Sequence, residues 1–229
     1  MRHGPQFRTM RSRRRDALLG AFVAALLMPP VTLEQVRAPA KSAARVSEIE
    51  YAVFSAYITE AFTGAKGENR TGSRVSSIVI VNKTRSDMDY SHIEDERDKP
   101  LSWKKAAKYL RKEVPTLRQE AIERLREVGT QWAPFRASFQ LPIPYQLVDA
   151  KEIDKIFKNE GWWTDYYKKY PGTQGILVFS RIGFSTDAKQ ALFYAVNSCG
   201  GKCGTETYVV MQRSDSGWKL QKEILIGVS

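Results

Sequence analysis

The last third of the chain constrains the fold most, because it consists of short apolar runs separated by turn-forming residues. The runs cover residues 176–184, 190–197, 206–212 and 218–228. Runs of this length and spacing are typical of antiparallel strands joined by hairpins. We therefore predict that the chain closes with a four-stranded antiparallel meander.

The preceding part of the chain has helical periodicity. Ser47 and Glu50 form a Ser-x-x-Glu capping box, which predicts a helix from that point to about Phe62. The β-branched run 77–81 is too short for a helix and predicts one further strand near residues 75–82. Because helices come first and strands last, the order favours an α+β domain over a doubly wound α/β fold.

Two further helical segments are predicted between residues 101 and 129. Pro115 separates them, and Thr116 and Gln119 form a second capping box in front of the second segment. Gly129 supplies the matching stop signal. These helices are predicted to pack on the C-terminal strands.

The region after residue 140 combines edge-strand and helix signals. Pro142 and Pro144 alternate with apolar residues, which favours an extended edge strand or a covering strap over a central strand. Asp149 and Glu152 then predict the start of a short helix. This region is thus predicted to lead from the edge of the sheet into the most aromatic part of the chain.

Residues 1–40 have the composition of an export signal. An Arg-rich start precedes an apolar run at 17–33 and a small-residue stretch at 38–40, which predicts a cleaved signal peptide. Two prolines interrupt the apolar run, which disfavours a membrane-spanning helix, although an uncleaved anchor at 17–33 is the alternative. The mature chain is then predicted to have a tether at 41–46 and a single α+β domain at 47–229.

The formal net charge of the chain is +11. Residues 1–40 carry about half of that excess, and the remaining positive charge is dispersed without long runs of like sign. This distribution disfavours nucleic acid as a partner and leaves weak polyanion binding as an alternative. Residues 82–100 are rich in both signs of charge, and a loop of this kind is either functional or mobile.

Cys199 and Cys203 are the only cysteines, and they lie in a glycine-rich turn. In an oxidising compartment this pair predicts a short-loop disulfide. Redox catalysis is disfavoured, because the redox motif spaces its cysteines by two residues rather than three. A zinc site is also disfavoured, because it requires four ligands and no histidine is near.

Residues 161–229 resemble a group of small exported bacterial proteins of uncharacterised function. The similarity is carried by residues 170–172, 180–184, 190–192, 199–204 and 217–219. It implies export and a strand meander with a cysteine-bridged turn, and it implies no reaction, ligand or catalytic residue. The order of elements is also loosely similar to the cone-shaped domains of the nuclear transport factor 2-like class, which is the alternative for the fold.

Few residues suit the common catalytic motifs. Removal of the leader leaves His92 as the only histidine, so a multi-histidine metal site is excluded, and neither a nucleophile elbow nor a phosphate-binding glycine loop is present. Glu160 and Asp165 flank the aromatic segment, and Glu206 and Glu223 lie on predicted strands. These carboxylates are weak candidates for a small hydrolase acting on glycans or esters.

The aromatic segment 161–170 is the main candidate for binding. Its candidate residues are Trp162, Trp163, Tyr166, Tyr167, Tyr170, Lys168 and Lys169. The aromatic rings suit stacking on a ligand and the lysines suit an anion, but helical spacing equally explains the aromatics as packing against the sheet and is the favoured interpretation. The sequence therefore favours an exported, non-catalytic binding domain without a cofactor, for an unknown protein or glycan partner, with the hydrolase as the alternative.

Overall fold

The computed structural model describes residues 45–63, 74–85, 103–158 and 160–228. Within these ranges the chain forms five α-helices and seven β-strands, and all seven strands belong to one sheet. The predicted α+β class is confirmed. The leader, most of the tether, most of the charged loop and His92 lie outside the described residues, so the predictions for them remain predictions.

The element bounds are as follows. The helices are α1 (Glu48–Ile58), α2 (Trp103–Glu113), α3 (Gln119–Val128), α4 (Ala150–Phe157) and α5 (Trp162–Lys169). A π-helical turn, Thr59–Thr63, extends α1. The strands are β1 (Ser77–Val81), β2 (Tyr145–Val148), β3 (Thr173–Phe179), β4 (Gly183–Phe184), β5 (Gln190–Ser198), β6 (Thr205–Ser214) and β7 (Gly217–Val228).

The sheet is mixed rather than antiparallel throughout. Its order is β2-β1-β3-β5-β6-β7, with the short β4 pairing only with β5. β1 is parallel to both β2 and β3, whereas the pairs β3–β5, β5–β6 and β6–β7 are antiparallel. Helical connections between β1, β2 and β3 return the chain to the same end of the sheet, which permits parallel pairing. As the prolines predict, β2 lies at an edge.

One face of the sheet is covered by α1. Ser47 and Glu50 form the predicted capping box, with the Ser47 amide donating to the Glu50 carboxylate at 2.8 Å. The helix buries Tyr51 and Phe54 against the sheet, and the Phe54 ring stacks on Phe179 with centroids 4.9 Å apart. The cluster of aromatic rings makes this face the main core of the protein.

The second predicted capping box is wrong. Arg118, not Thr116, is the N-cap of α3, and its side chain makes no capping hydrogen bond. The backbone N–H of Arg118 instead donates to the side chain of Gln190 at 2.7 Å, and Gln119 bonds to Glu123. A buried glutamine from β5 therefore accepts the hydrogen bond that a capping side chain next to α3 would have accepted. The residue spacing around α3 does not predict this contact.

Two separate groups of helices cover the other face of the sheet. α2 and α3 pack against β5, β6 and β7 around Leu192, Tyr208 and Val210. α4 and α5 pack against β1, β2 and β3 around Val79, with Tyr166 in the buried cluster. Within the described ranges, no helix is both long enough and apolar enough to cross a membrane.

Candidate functional site: a groove on the sheet

A groove runs along the sheet at the border between the two helical groups. Val178 of β3 packs against the α4–α5 cluster, and Val196 of β5 packs against the α2–α3 cluster. These two valines lie directly opposite each other in the sheet, and both are half-buried. The helices therefore leave this strip of the sheet partly uncovered, and we call the depression above it the sheet groove.

The sheet groove consists of two adjoining cavities of about 480 Å³ and about 780 Å³. Val81, Ala150, Val178 and Ser198 line both cavities, so the two spaces share one floor. Pockets for small ligands typically have volumes of about 300–1,000 Å³. The sheet groove is therefore large enough for an extended small molecule.

The smaller cavity forms the apolar end of the sheet groove. Its lining combines residues of α4, α5 and β3, namely Ile153, Asp154, Phe157, Trp162, Trp163 and Ile176. The Trp163 ring lies edge-on to Phe157, with centroids 4.8 Å apart, and is thereby fixed in place. Among the residues of this lining that the structure describes, Asp154 is the only ionisable one. An apolar group is the natural occupant of such a space.

Trp162 has an unusual position at this end. Its side chain is 61% exposed, and its backbone has φ +43°, in the left-handed region that residues with large side chains rarely adopt. Because the indole is exposed, burial within the protein does not offset the free-energy cost of this backbone conformation. Strained residues of this kind concentrate at ligand-binding sites, where bound ligand makes use of the enforced geometry.

The larger cavity forms the polar end of the sheet groove. Lys83, Thr84, Arg85, Trp132 and Glu206 contribute to its lining. Thr84 is buried, and its hydroxyl accepts a hydrogen bond from the Ala133 amide at 2.8 Å. Because alternate residues of an extended segment share a face, Lys83 and Arg85 lie on the same face as Val81. This one strip changes from apolar to cationic along the groove.

Two of the charged groups at the polar end, Arg85 and Glu206, contact the same aromatic residue, Tyr194. The Arg85 guanidinium lies 5.6 Å from the centroid of the Tyr194 ring. The Tyr194 hydroxyl donates a hydrogen bond to the carboxylate of Glu206. A cation over an aromatic face and a carboxylate on the hydroxyl of the same ring are both favourable arrangements.

Two of the tyrosines that are predicted to bind a ligand are instead buried in the protein. Tyr166 is buried, and its hydroxyl donates to the carbonyl of Gly175 at 2.8 Å. Tyr170 is also buried, and it donates to the carboxylate of Glu152 at 2.7 Å. Burial raises the pKa of both tyrosines above its ordinary value, and the hydrogen bond to Glu152 adds to the increase for the pKa of Tyr170. These residues fasten α5 to the sheet and to α4.

The remaining predicted binding residues of α5 also have partners within the protein. The Tyr167 hydroxyl donates to the carbonyl of Cys199 at 2.9 Å. Lys168 lies 3.6 Å from the carboxylate of Asp165, and Lys169 pairs with Glu152. Of the seven predicted binding residues, only Trp162 and Trp163 line the sheet groove.

The sulfur atoms of Cys199 and Cys203 lie 2.07 Å apart, so the predicted disulfide is present. It closes the turn between β5 and β6, next to the hydrogen bond from Tyr167. The disulfide turn is thereby connected to α5.

The predicted catalytic carboxylates are dispersed. Glu160 is exposed, Asp165 pairs with Lys168, and neither lines the sheet groove. Glu206 lines the polar end, whereas Glu223 accepts a hydrogen bond from Tyr57 of α1 at 2.8 Å. In the part of the chain that the structure describes, there is also no group of three metal-ligating side chains.

The sequence does not predict most of the residues that line the groove. The alternation of Val79, Val81, Lys83 and Arg85 signals one face of an extended segment, but the charged residues were assigned to the loop at 82–100. Trp132 gave no signal, because a single tryptophan between helices is usually a packing residue.

The fold and this site define an α+β protein with a mixed sheet and a groove that has one apolar end and one polar end. Comparison with protein-family models, curated proteins and solved structures found no match to the chain. The resemblance to exported bacterial proteins and the fold analogy with the transport-factor class therefore remain predictions.

Proposed function

We propose that this protein is a non-catalytic binding domain that holds a small, largely apolar ligand in the sheet groove. The proposal rests on one observation about Trp162. Its indole is exposed beside an apolar cavity, and its backbone is strained. Binding of a ligand against this ring would bury apolar surface that the protein alone leaves in water.

The chemistry of the lining supports binding rather than catalysis. Valine, isoleucine and aromatic side chains form most of the apolar end, and they exclude water without transferring protons. Two carboxylates line the groove within the described ranges: Asp154 lies on α4 at the apolar end, and Glu206 accepts a hydrogen bond from the Tyr194 hydroxyl at the polar end. The two carboxylates thus belong to different cavities.

Nile red, a neutral dye whose fluorescence increases in apolar surroundings, tests the proposal. We expect saturable binding to the full chain and a roughly tenfold weaker affinity for the variants Trp162→Ala and Trp163→Ala, equivalent to about 1.4 kcal/mol. Leu225→Ala is the matched control, because Leu225 is 53% exposed on the edge strand β7 and lies outside the sheet groove.

The control decides between the groove and the rest of the apolar surface. Equal affinity of wild type and both tryptophan variants, together with a loss for Leu225→Ala, would place the dye on β7 and would contradict the proposal. Circular dichroism of each variant establishes that the fold is retained.

We also propose that the domain acts outside the cytoplasm, as a relative of the exported proteins that residues 161–229 resemble. The disulfide between Cys199 and Cys203 supports this location, because disulfides persist mainly in oxidising compartments. The mass of the protein purified from its native host tests the proposal. Loss of residues 1–40 with both thiols resistant to alkylation is expected, whereas an intact N-terminus with alkylated thiols would contradict it.

A further inference from the structure

In its described lining, the apolar end of the sheet groove has one charged group, and that group lies among aromatic side chains. The lining includes Phe157, Trp162 and Trp163, and Asp154 contributes a carboxylate. In pockets for small ligands, apolar groups hold the body of the ligand and a few polar groups fix its orientation. The carboxylate of Asp154 therefore restricts the head group of a ligand that fills this cavity.

The carboxylate of Asp154 is available to a ligand. Asp154 is exposed on the last turn of α4, and its side chain forms no hydrogen bond or ion pair with the residues that the structure describes. Lys151 and Lys158 lie one turn before and one turn after it, but neither forms an ion pair with Asp154, and both lysines of α5 already pair with other carboxylates. The described part of the chain therefore leaves this negative charge unpaired.

The indole of Trp162 is the second open group of this cavity. Trp162 is 61% exposed, and its ring makes no aromatic or cation–π contact within the described ranges. Trp163 is instead held against Phe157, with ring centroids 4.8 Å apart. The face of a tryptophan ring attracts a cation within about 6 Å of its centroid, and open aromatic faces of this kind recognise quaternary ammonium ligands. The apolar end thus combines an open indole with an unpaired carboxylate.

The polar end of the groove selects no particular charge. Lys83 interacts electrostatically with the Asp149 carboxylate, and Arg85 and Glu206 contact the same residue, Tyr194. Groups of both signs therefore lie side by side in this cavity. A charge preference of the groove accordingly comes from the apolar end.

We infer that the ligand is an organic ammonium ion, with its apolar body against Phe157 and Trp163 and its cationic head against the Trp162 indole and the Asp154 carboxylate. The inference rests on the proposed function, because it assigns a ligand class to the same groove. The body buries apolar surface in the cavity, whereas the head lies beside two exposed groups and keeps part of its hydration. Binding therefore does not require full desolvation of the charge.

Displacement of Nile red from the full chain by three amphiphiles of equal alkyl chain length tests the inference. The competitors are octyltrimethylammonium, octanol and octanoate at neutral pH, each below the concentration at which it aggregates. We expect octyltrimethylammonium to compete about tenfold more strongly than octanol, and octanoate to compete most weakly.

Variants of Asp154 and Trp162 show whether these residues supply the preference. Asp154→Asn is expected to reduce the preference for the ammonium compound over octanol by about fivefold, as for loss of one exposed ion pair, and Asp154→Glu is expected to retain most of it. Trp162→Leu keeps an apolar side chain but lacks an aromatic face, so it is expected to reduce the preference by about threefold. The matched control is Asp215→Asn, in the exposed turn between β6 and β7 and outside the groove.

The outcomes separate the two proposals. Equal competition by the ammonium compound and octanol, or strongest competition by octanoate, would overturn the organic-cation inference while groove binding stands. An unchanged preference in Asp154→Asn, or an equal reduction in Asp215→Asn, would show that Asp154 does not hold the cation and would also overturn it. Because Asp154 is exposed, its replacement leaves the core intact. An unchanged preference in Trp162→Leu would overturn the assigned contact with the indole. Failure of Trp162→Ala to weaken Nile red binding would instead remove the proposed function, and the inference with it.

Discussion

The carboxylate of Glu50 receives two hydrogen bonds from the guanidinium of Arg181, at 2.7 and 2.9 Å. The side chains are only 3% and 12% exposed, so water contributes little to their solvation. Glu50 lies in the first turn of α1, and Arg181 follows β3, so the pair joins two distant parts of the chain. This contact fixes α1 on the face of the sheet opposite the groove.

Arg181→Met should therefore be strongly destabilising. Removing one partner leaves a buried carboxylate uncompensated, and the free energy of unfolding should fall by about 3–5 kcal/mol in urea titrations. Arg124→Met is the matched control, because the Arg124–Glu127 pair is 58% and 61% exposed and should contribute at most about 1 kcal/mol. Similar losses in the two variants would show that the buried pair has no special role.

The disulfide should stabilise the fold modestly. Cys199 and Cys203 are four residues apart, and the loop-entropy relation gives about 2 kcal/mol for so short a loop. The double variant Cys199→Ser, Cys203→Ser should remain folded and lose about that amount in urea titrations. Complete unfolding of this variant would mean that the turn contributes more than a loop restraint.

Stability should decline at alkaline pH because of buried tyrosines. Burial, followed by the nearby Glu223 carboxylate, raises the pKa of Tyr57 well above its ordinary value of 10.0. The native state therefore retains a proton that the unfolded chain has lost, so this stability is fully present below about pH 10 and is lost as the pH rises above it.

The variant Tyr57→Phe measures that contribution. At neutral pH it should be about 1 kcal/mol less stable than wild type, because it lacks the hydroxyl that bonds to Glu223. The difference should shrink above pH 10, since phenylalanine does not titrate. Urea titrations of both proteins from pH 7 to 11 provide the test, and a difference that is constant over this range would contradict the assignment.

Replacement of Trp162 by glycine should relieve the backbone strain, and it should affect stability and ligand binding differently. Glycine adopts the observed φ of +43° freely, and the indole that it replaces is mostly exposed. Trp162→Gly should therefore leave the free energy of unfolding unchanged or raise it by up to about 1 kcal/mol, while Nile red binding weakens about tenfold, as in Trp162→Ala. A clear loss of stability would mean that the indole is a structural residue.

The sequence predicts the structure correctly where that structure depends on residues close together in the chain. The capping box at Ser47 and Glu50 sets the start of α1, and the spacing of Trp163, Tyr166 and Tyr170 sets the packed face of α5. Both depend on residues within one or two helical turns, so the sequence carries them directly.

The parts that could not be predicted depend on contacts between distant segments. Gln190 bonds to the N-terminal end of α3 from β5, more than seventy positions away along the chain. The parallel pairing of β1 with β2 and β3 depends on how the helical connections cross. The sheet groove likewise exists only because two helical groups cover different halves of one sheet face.

Nuclear magnetic resonance of the full chain with bound Nile red tests the central claim most directly. The account predicts nuclear Overhauser contacts from the dye to the methyl groups of Val81 and Val178 and to the Trp162 ring, all of which line the apolar cavity. Contacts confined to Leu225 and Val228, the exposed apolar residues of β7, would place the ligand outside the groove and contradict it.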